Sequence, residues 1–227
     1  MNNMIELKNI SKSYISTKQI EVLKNINFIF KPGKIYSLTG PSGSGKSTLL
    51  NLISLIDKPS SGLIKLDKIT IDDNDIDQKD TIRSKKIGII YQDKNLLSDF
   101  TTLENVYMAR LSLKNDKDKA ILDAKNLIKK VGLNRRLNHF PSQLSGGESQ
   151  RVAISRALIN SPDIILADEP TGNLDHKNAS EIFKLLFSLK NKKRIIIFAT
   201  HNRYFADMSD CKLSLIDGKV ITVNARN

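Results

Sequence analysis

The residues best suited to chemistry form the run GPSGSGKS, Gly40 to Ser47, which fits the pattern G-x-x-x-x-G-K-[ST]. Glycines in such a run permit left-handed backbone and let the main chain approach a ligand closely. Successive N–H groups then face one concavity, and the start of the next helix adds its free amides and its positive dipole end. The run therefore predicts a cradle for nucleotide phosphates.

Three side chains at the end of this run have predicted roles of their own. Lys46 is expected to reach the β- and γ-phosphates as a point charge, Ser47 to ligate Mg²⁺ through its hydroxyl, and Thr48 to hydrogen-bond an α-phosphate oxygen. The alternative is a Gly/Ser linker or an ordinary turn, which would require the Lys-Ser pair to fall at this offset by chance. The predicted nucleotide-binding residues of the loop are Gly40, Pro41, Ser42, Gly43, Ser44, Gly45, Lys46, Ser47 and Thr48.

Two acids end the apolar run DIILADE, Asp163 to Glu169. Adjacent residues on a strand point to opposite faces, so Asp168 and Glu169 are expected to have different roles. Asp168 is predicted to hold Mg²⁺, directly or through water, and Glu169 to act near the γ-phosphate as general base for an attacking water. The alternative, a surface pair of acids, fits poorly with the apolar run before them.

Two further polar residues each follow a buried-type strand. Gln92 comes after Ile87 to Tyr91, and His201 comes after Arg194 to Thr200. Ligands of parallel sheets bind at the carboxyl ends of strands, so Gln92 could ligate Mg²⁺ or position a water, and His201 could sense the γ-phosphate. Taken alone, each signal is weak, and an isolated histidine is more often structural than catalytic.

A second glycine-rich helix start lies in LSGGESQRVAISRALI. Ser145 and Glu148 have the spacing of a capping box. Gly146 and Gly147 leave the first amides of the helix uncovered, so this helix start could bind a second phosphate. Without the other motifs, a glycine turn before a well-capped helix would be the favoured interpretation.

Tyr14 precedes the phosphate loop within an alternating segment. Its ring could stack on a purine base, or it could be a half-buried strand tyrosine. Spacing alone does not separate these two interpretations.

The elements that must position these residues begin with strands. Residues 4–14 and 20–30 alternate apolar with polar side chains and predict two antiparallel strands. The phosphate loop joins a central strand to a helix that is expected to reach about Ile56. Two short β segments are predicted at Leu63 to Leu66 and at Ile69 to Ile71.

The second half of the chain begins with a helical pattern. Helices are predicted at Thr102 to Leu113, Lys117 to Val131 and about Lys177 to Lys190. The chain is expected to close with two edge strands, Lys212 to Ile216 and Val220 to Val223, around a turn at Asp217 and Gly218.

Composition narrows the class of protein. The chain has 227 residues, 40% of them hydrophobic, and a formal net charge of +12. No apolar run approaches the roughly 18 to 20 residues of a membrane helix, and the first residues lack a signal-peptide pattern, which predicts a cytosolic protein. Cys211, the only cysteine, excludes an intramolecular disulfide and is expected to be a small core residue.

The positive charge suits nucleic acid or an anionic membrane surface as a partner. Lysines are interleaved with aspartates along the chain, as in KNDKDKAILDAKNLIKK, so a solvated lysine-rich surface is the favoured explanation.

Five motifs in fixed order together resemble the nucleotide-binding subunit of an ABC transporter: GPSGSGKS, Gln92, LSGGESQR, ILADE and His201. The resemblance implies an α/β P-loop NTPase of RecA-like type with an antiparallel β subdomain and an inserted helical subdomain. One domain would span residues 1–227, with the core and β subdomain at about 1–92 and 160–227 and the helical subdomain at about 93–159.

The same resemblance implies that ATP is bound with Mg²⁺ between two copies of the chain. Ser145, Gly146, Gly147 and Glu148 of one copy would close in trans over the phosphate loop of the other. Tyr14 matches the adenine-stacking aromatic, Gln92 the loop that couples the core to the helical subdomain, Asp175 the turn at the dimer and His201 the switch histidine.

A narrower resemblance comes from ADEPTGNLD, LLSDFTTLENV and NASEIFKLL, which are similar to the ATPases of lipoprotein-releasing systems, the LolD type. It implies two membrane permeases of the LolC and LolE kind as partners, and a peripheral position on the cytoplasmic face of the inner membrane. Related exporters of macrolides or peptides and cell-division complexes are the alternatives within this group. A nucleic-acid-linked ABC ATPase is an alternative of another class, but the stretch from Gln92 to Leu144 leaves no room for its long coiled coil.

Overall fold

Strands and helices alternate along the chain in a computed structural model that describes residues 4–15, 18–111, 113 and 116–225. The strands are β1 (Ile5–Ile15), β2 (Gln19–Phe30), β3 (Ile35–Thr39), β4 (Ser61–Leu66), β5 (Ile69–Thr70), β6 (Ile87–Ile90), β7 (Ile164–Asp168), β8 (Ile195–Ala199), β9 (Cys211–Ile216) and β10 (Lys219–Ala225). The helices are α1 (Lys46–Ile53), α2 (Ile76–Lys86), α3 (Thr102–Leu111), α4 (Lys117–Lys130), α5 (Gly146–Leu158), α6 (His176–Ser188) and α7 (Arg203–Asp207).

A six-stranded sheet with the order β10-β9-β3-β8-β7-β6 forms the centre of the fold. All of its neighbouring pairs are parallel except β9 with β10. Parallel strands are covered on both faces, which explains why every residue of β8 is buried. The carboxyl ends of β3, β8, β7 and β6 therefore lie along one edge of the sheet.

The second sheet is antiparallel, with the order β2-β1-β4-β5. The predicted pairing of the first two strands is confirmed, with Ile5 opposite Phe30 and Tyr14 opposite Ile20. Its inner face shares an apolar core with α1, in which Leu7 and Leu23 belong to the same cluster as Leu49. This shared core attaches the antiparallel sheet to the helix that follows the phosphate loop.

Helices α3, α4 and α5 surround an apolar cluster of their own, which includes Val106, Ile128 and Val152. Helix α5 also packs closely on the central sheet. The approach is so close at Gly88 of β6 that a Cβ there would lie 2.4 Å from Ala157 O. The division at about residues 93 and 159 stays a prediction, while these contacts place α5 between the helical cluster and the sheet.

Helix α2 was not predicted, because none of its residues is fully buried and its sequence has no apolar period. Its local signal is the pair Asp75 and Gln78, in which the Asp75 side chain accepts a hydrogen bond from Gln78 N over 2.8 Å. Helix α7 is a single short turn and was also missed. Helix α1 ends at Ile53, short of the predicted Ile56, because Leu55 adopts a left-handed φ of 62°.

The prediction of two terminal edge strands was wrong for the first of them. β9 lies between β3 and β10, so of these two strands it is β10 that forms an edge of the sheet. Cys211 is buried in β9, as predicted. The predicted helix Thr102 to Leu113 ends at Leu111, and its residue 112 lies outside the described part of the chain.

Candidate nucleotide-binding site

The phosphate loop joins the carboxyl end of β3 to the start of α1. Gly40, Gly43 and Gly45 have φ angles of 146°, 75° and 100°, which residues other than glycine rarely adopt. A Cβ at Gly40 would lie 2.3 Å from Leu215 O, so only glycine fits there. Gly45 is the N-cap of α1 and carries no capping side chain, which leaves the first amides of the helix available to an anion.

The ammonium group of Lys46 lies inside this loop. Lys46 Nζ donates to Gly40 O and to Pro41 O, each over 3.0 Å, and the residue is only 7% exposed. The side chain is therefore already folded into the concavity where the phosphates are predicted. Ser44 Oγ is buried there without a hydrogen-bond partner in the described part of the chain.

Asp168 and Glu169 differ in backbone, which corrects the sequence argument that placed both on one strand. β7 ends at Asp168, and Glu169 has a left-handed φ of 44°. Hydrogen bonds hold this turn: Glu169 N donates to Ala199 O over 3.1 Å, and Gly172 N donates to Glu169 O over 3.0 Å. Non-glycine residues in this region are strained and cluster at functional sites, so the distinct surroundings of the two acids come from this turn and not from strand alternation.

His201 lies beside the carboxylate of Glu169. Its Nε2 is 3.2 Å from Glu169 Oε1, and its backbone N donates to Glu169 Oε2 over 3.3 Å. Oε1 is buried and accepts no aligned hydrogen bond from the described residues. The carboxylate of Glu169 is thus held next to the imidazole of His201.

Glu169 and His201 face an open cavity of about 590 Å³ at the carboxyl edge of the sheet. Ser42 of the phosphate loop, Gln92 after β6 and Thr200 after β8 line the same cavity. The structure therefore brings together residues that the sequence analysis selected from four separate motifs. Thr200 was not predicted; its Oγ1 accepts a hydrogen bond from Asn202 N over 3.1 Å.

The donors on this edge fit a magnesium ion. Asp168 Oδ1 is buried without a hydrogen-bond partner among the described residues, which is consistent with a cation-binding oxygen. The Ser47 hydroxyl and the Gln92 amide oxygen are, like this carboxylate, hard oxygen donors of the kind that Mg²⁺ prefers. The described residues contain no group of three His, Cys, Asp or Glu side chains arranged for a metal.

The predicted capping box at the start of α5 is confirmed. Ser145 Oγ accepts from Glu148 N over 3.2 Å, and Glu148 Oε2 accepts from Ser145 N over 2.8 Å. Arg136 Nε also donates to Glu148 over 2.8 Å. The backbone hydrogen bond from Ser145, followed by the bond from Arg136, lowers the pKa of Glu148.

The two glycines of α5 touch the segment that follows Glu169. A Cβ at Gly147 would lie 2.6 Å from Asn178 Oδ1, and one at Gly146 would lie 3.2 Å from the side chain of Leu174. Asp175 is the N-cap of α6 and accepts from Asn178 N over 3.0 Å. Leu174 also lines the cavity, whereas the cavity lining includes none of Ser145, Gly146, Gly147 and Glu148 among the described residues.

Tyr14 lies on β1 and is 42% exposed. Its hydroxyl donates to Asp57 Oδ2 over 2.9 Å, and Lys12 Nζ lies 4.9 Å from the ring centroid. Burial, and then the hydrogen bond to Asp57, raise the pKa of Tyr14. The ring is thus held at its hydroxyl and on the side that Lys12 approaches, and its role in base stacking stays a prediction.

The sequence analysis missed Lys12 and Asp57. Lys12 is 7% exposed, and its Nζ donates to Asp57 Oδ1 over 2.6 Å and to Lys58 O over 2.7 Å. Burial opposes ionisation of Asp57, but hydrogen bonds from Lys12, Tyr14 and Lys58 N together lower its pKa. Lys12 and Asp57 are far apart in the chain, so no local sequence pattern predicts this ion pair.

A parallel sheet whose carboxyl edge carries a glycine-rich phosphate loop, an acid in a strained turn and a neighbouring histidine defines a P-loop ATPase. The profile of the family described as ABC transporter matches residues 23–172, well over half of the chain, so the chain belongs to the ABC transporter family.

Its similar relatives within that family are named lipoprotein-releasing system ATP-binding protein LolD. The relative from Rickettsia bellii is 44% identical over 211 residues, which cover 92% of this chain and 93% of the relative. The relative from Legionella pneumophila is 43% identical over 227 aligned residues, which cover 97% of this chain and 98% of the relative.

The fold is similar to that of a solved ATP-binding cassette, described as dimeric and in a post-hydrolysis state bound to ADP and phosphate. The two chains share 40% identity with a TM-score of 0.90, over 98% of this chain and 99% of the other. The chain is therefore an ATPase of the ABC type. Across the described residues, no helix combines the length and the apolar character needed to cross a membrane.

Proposed function

We propose that this chain is the ATP-hydrolysing subunit of an ABC transporter that releases lipoproteins from the inner membrane for transfer to the outer membrane. One observation carries the chemical part of the proposal: Glu169 stands in a strained turn beside His201 and lines a cavity that also includes Ser42 of the phosphate loop. Similarity to LolD proteins over nearly the full length supports the choice of system.

Binding of ATP falls to the phosphate loop. Its backbone amides and the Lys46 ammonium bind the phosphates, and Thr48 adds a hydroxyl at the α-phosphate. Ser47, Gln92 and Asp168 would hold Mg²⁺, which neutralises charge on the phosphate oxygens when bound. The exposed ring of Tyr14 supplies a stacking surface for adenine.

Hydrolysis needs little covalent chemistry from the protein. Glu169 accepts a proton from the water that attacks the γ-phosphorus, so that ADP and phosphate are the products. His201, which lies beside Glu169, orients that carboxylate and contacts the γ-phosphate. Lys46 and the loop amides stabilise the charge that develops during transfer.

A second copy of the chain completes the site in this proposal. Ser145, Gly146, Gly147 and Glu148 would contact the ATP of the partner copy, with Asp175 in the turn at the dimer interface. The dimeric state of the solved cassette supports this arrangement. Two permeases of the LolC and LolE kind would hold the dimer on the cytoplasmic face of the inner membrane, where it acts as a peripheral subunit.

Reconstitution tests the proposal. The chain is coexpressed with LolC- and LolE-type permeases, the complex is placed in proteoliposomes that carry a lipoprotein, and the lipoprotein released after ATP addition is quantified. We expect ATP-dependent release that the Glu169→Gln complex does not support. Stable copurification with an importer-type permease, or an intact complex that hydrolyses ATP without releasing lipoprotein, would reject the proposed cargo while leaving the ATPase in place.

A further inference from the structure

One half-buried arginine connects the segment that follows Gln92 to helix α5. Arg156 Nη1 donates to Asn95 O over 2.6 Å, and Arg156 Nη2 donates to Lys94 O over 2.7 Å. Both short bonds come from one guanidinium, whose planar fork fixes direction as well as distance. The two carbonyls are thus held in one orientation relative to α5.

The backbone that receives these bonds is strained. Lys94 and Asn95 have left-handed φ angles of 58° and 46°, and neither residue is glycine. Consecutive residues of this kind persist only where the surroundings hold them. The guanidinium of Arg156 supplies that restraint to both.

Burial makes this attachment costly to break. Burial lowers the pKa of Arg156, yet a guanidinium remains protonated at physiological pH. Its two hydrogen bonds go to carbonyl oxygens, so detaching the segment would leave a half-buried cation without these two acceptors. The segment and α5 are therefore expected to move together.

A second side chain holds the far end of the same segment. Asn105 of α3 is 2% exposed; its Oδ1 accepts from Leu97 N over 2.8 Å, and its Nδ2 donates to Phe100 O over 2.9 Å. The segment after Gln92 is thus attached to α5 first and to α3 next. Arg156 is the attachment that lies nearer to Gln92.

The other end of α5 carries the glycine-rich start with its Ser145 cap. Gly146 opens this helix of 13 residues, and Arg156 lies in its last turn. Arg156 therefore connects α5 to the backbone next to Gln92, which lines the cavity with Glu169.

We infer that Arg156 is a positioning residue for Gln92, because its guanidinium fixes the two backbone carbonyls that follow Gln92 by two and three residues. The inference rests on the proposed function, in which Gln92 holds Mg²⁺.

The test compares Arg156→Lys with a matched control, Arg194→Lys. Arg194 also donates to two carbonyls, Pro162 O and Leu189 O, each over 3.0 Å, and burial lowers its pKa as well. Arg194 and His201 lie at opposite ends of β8. Replacing Arg194 therefore removes hydrogen bonds from a guanidinium to backbone carbonyls at a position far from the ATPase site. Arg156→Gln, a shorter side chain that keeps an N–H₂ group, serves as the second variant.

Two measurements are made on each variant. Hydrogen exchange of the nucleotide-free protein reports on the backbone, and we expect faster exchange of amides 91–97 in Arg156→Lys but not in Arg194→Lys. Steady-state ATP hydrolysis is then followed against ATP and against Mg²⁺. For Arg156→Lys we expect kcat to fall roughly 10-fold with a higher Mg²⁺ requirement and little change in KM for ATP, as for a group that orients a metal ligand.

Unchanged exchange of amides 91–97 in both Arg156 variants would overturn the inference, as would equal effects of Arg156→Lys and Arg194→Lys on kcat and on the Mg²⁺ requirement. A wild-type protein without ATP hydrolysis would instead remove the proposed function, and the exchange measurement would then decide on the attachment by itself.

Discussion

At the scale of single residues, Glu169 combines features that oppose stability. Its backbone is left-handed, and one of its buried carboxylate oxygens lacks an aligned hydrogen bond from the described residues. Such costs persist where a residue performs chemistry. A residue that lowers the stability of the fold is therefore retained at position 169 because it serves the activity of the site.

Replacing Glu169 by glutamine is expected to separate binding from turnover. The variant keeps the size of the side chain but loses the proton acceptor, so kcat should fall roughly 10²- to 10⁴-fold while ATP affinity is retained. Phosphate release and equilibrium ATP binding measure the two quantities. Glu181→Gln is the control, because this exposed acid of α6 pairs with Arg151 and should leave kcat unchanged. Near wild-type turnover by Glu169→Gln would remove it as the general base.

Replacing Lys46 by alanine is expected to act one step earlier. The ammonium lies 3.0 Å from two loop carbonyls, inside the predicted phosphate cradle, so its loss should weaken ATP binding itself. Titration with a fluorescent ATP analogue measures the affinity. Lys219→Ala, an exposed lysine of β10, controls for the change in net charge. Equal affinities of the two variants would contradict the cradle.

At the scale of elements, helices and strands with a local sequence pattern could be predicted, whereas features that depend on residues far away in the chain could not. The alternation in β1 and β2, the glycine-rich loop and the capping box of α5 each have a local cause, and the structure confirms them. Helix α2 has no apolar face to reveal it, and the interior position of β9 depends on its pairing with the distant β3. Sequence patterns of a few residues contain neither piece of information.

The candidate site divides in the same way. Gln92, Asp168, Glu169 and His201 could be selected from the sequence because parallel strands end at one edge of a sheet, which is a general rule. The left-handed turn at Glu169 was missed, since it depends on the bond from Glu169 N to Ala199 O of the neighbouring strand. Lys12, Asp57 and Arg156 were missed for the same reason, because each acts through residues far away in the chain.

The ion pair between Lys12 and Asp57 joins β1 to the segment after α1, and it predicts a pH dependence of stability. The pKa of Asp57 is lowered in the folded protein, so its contribution is present above the unfolded pKa of about 3.9 and is lost as pH falls through the folded pKa. Urea denaturation at pH 7 and at a series of lower pH values should therefore show a difference between wild type and Asp57→Asn that shrinks as the pH falls below the unfolded pKa.

The matched control for this pair is Asp207→Asn. Asp207 and Lys212 also lie 2.6 Å apart, but the Asp207 side chain is 63% exposed. An exposed pair contributes about 0 to 1 kcal/mol, so this variant should lose less stability at pH 7 than Asp57→Asn. Equal losses at pH 7, or a difference between wild type and Asp57→Asn that does not shrink as the pH is lowered, would contradict the assigned role of Asp57.

At the scale of the whole molecule, the proposed ATP site has two parts, and among the described residues only the part around the phosphate loop lines the cavity. The cavity with the phosphate loop lies on one side of the turn that contains Leu174, and the glycine-rich start of α5 lies on the other. Two copies in antiparallel arrangement would bring each start to the partner's loop.

This arrangement predicts that ATP drives dimerisation. In Glu169→Gln, where bound ATP should persist, we expect sedimentation of a dimer with ATP and Mg²⁺ and of a monomer without them. Lys46→Ala should stay monomeric under both conditions because it does not retain ATP. A Glu169→Gln protein that binds ATP but sediments as a monomer at all concentrations tested would argue against the shared site.

The contact between Gly146 and Leu174 has a consequence for two such sites. Leu174 lines the cavity in which a chain holds its own ATP, and Gly146 belongs to the surface that this chain would offer to the ATP of its partner. A change around Leu174 during hydrolysis at one site would therefore alter the fit at the other. The two ATP molecules of a dimer would therefore not be hydrolysed independently, and the Hill coefficient would differ from one.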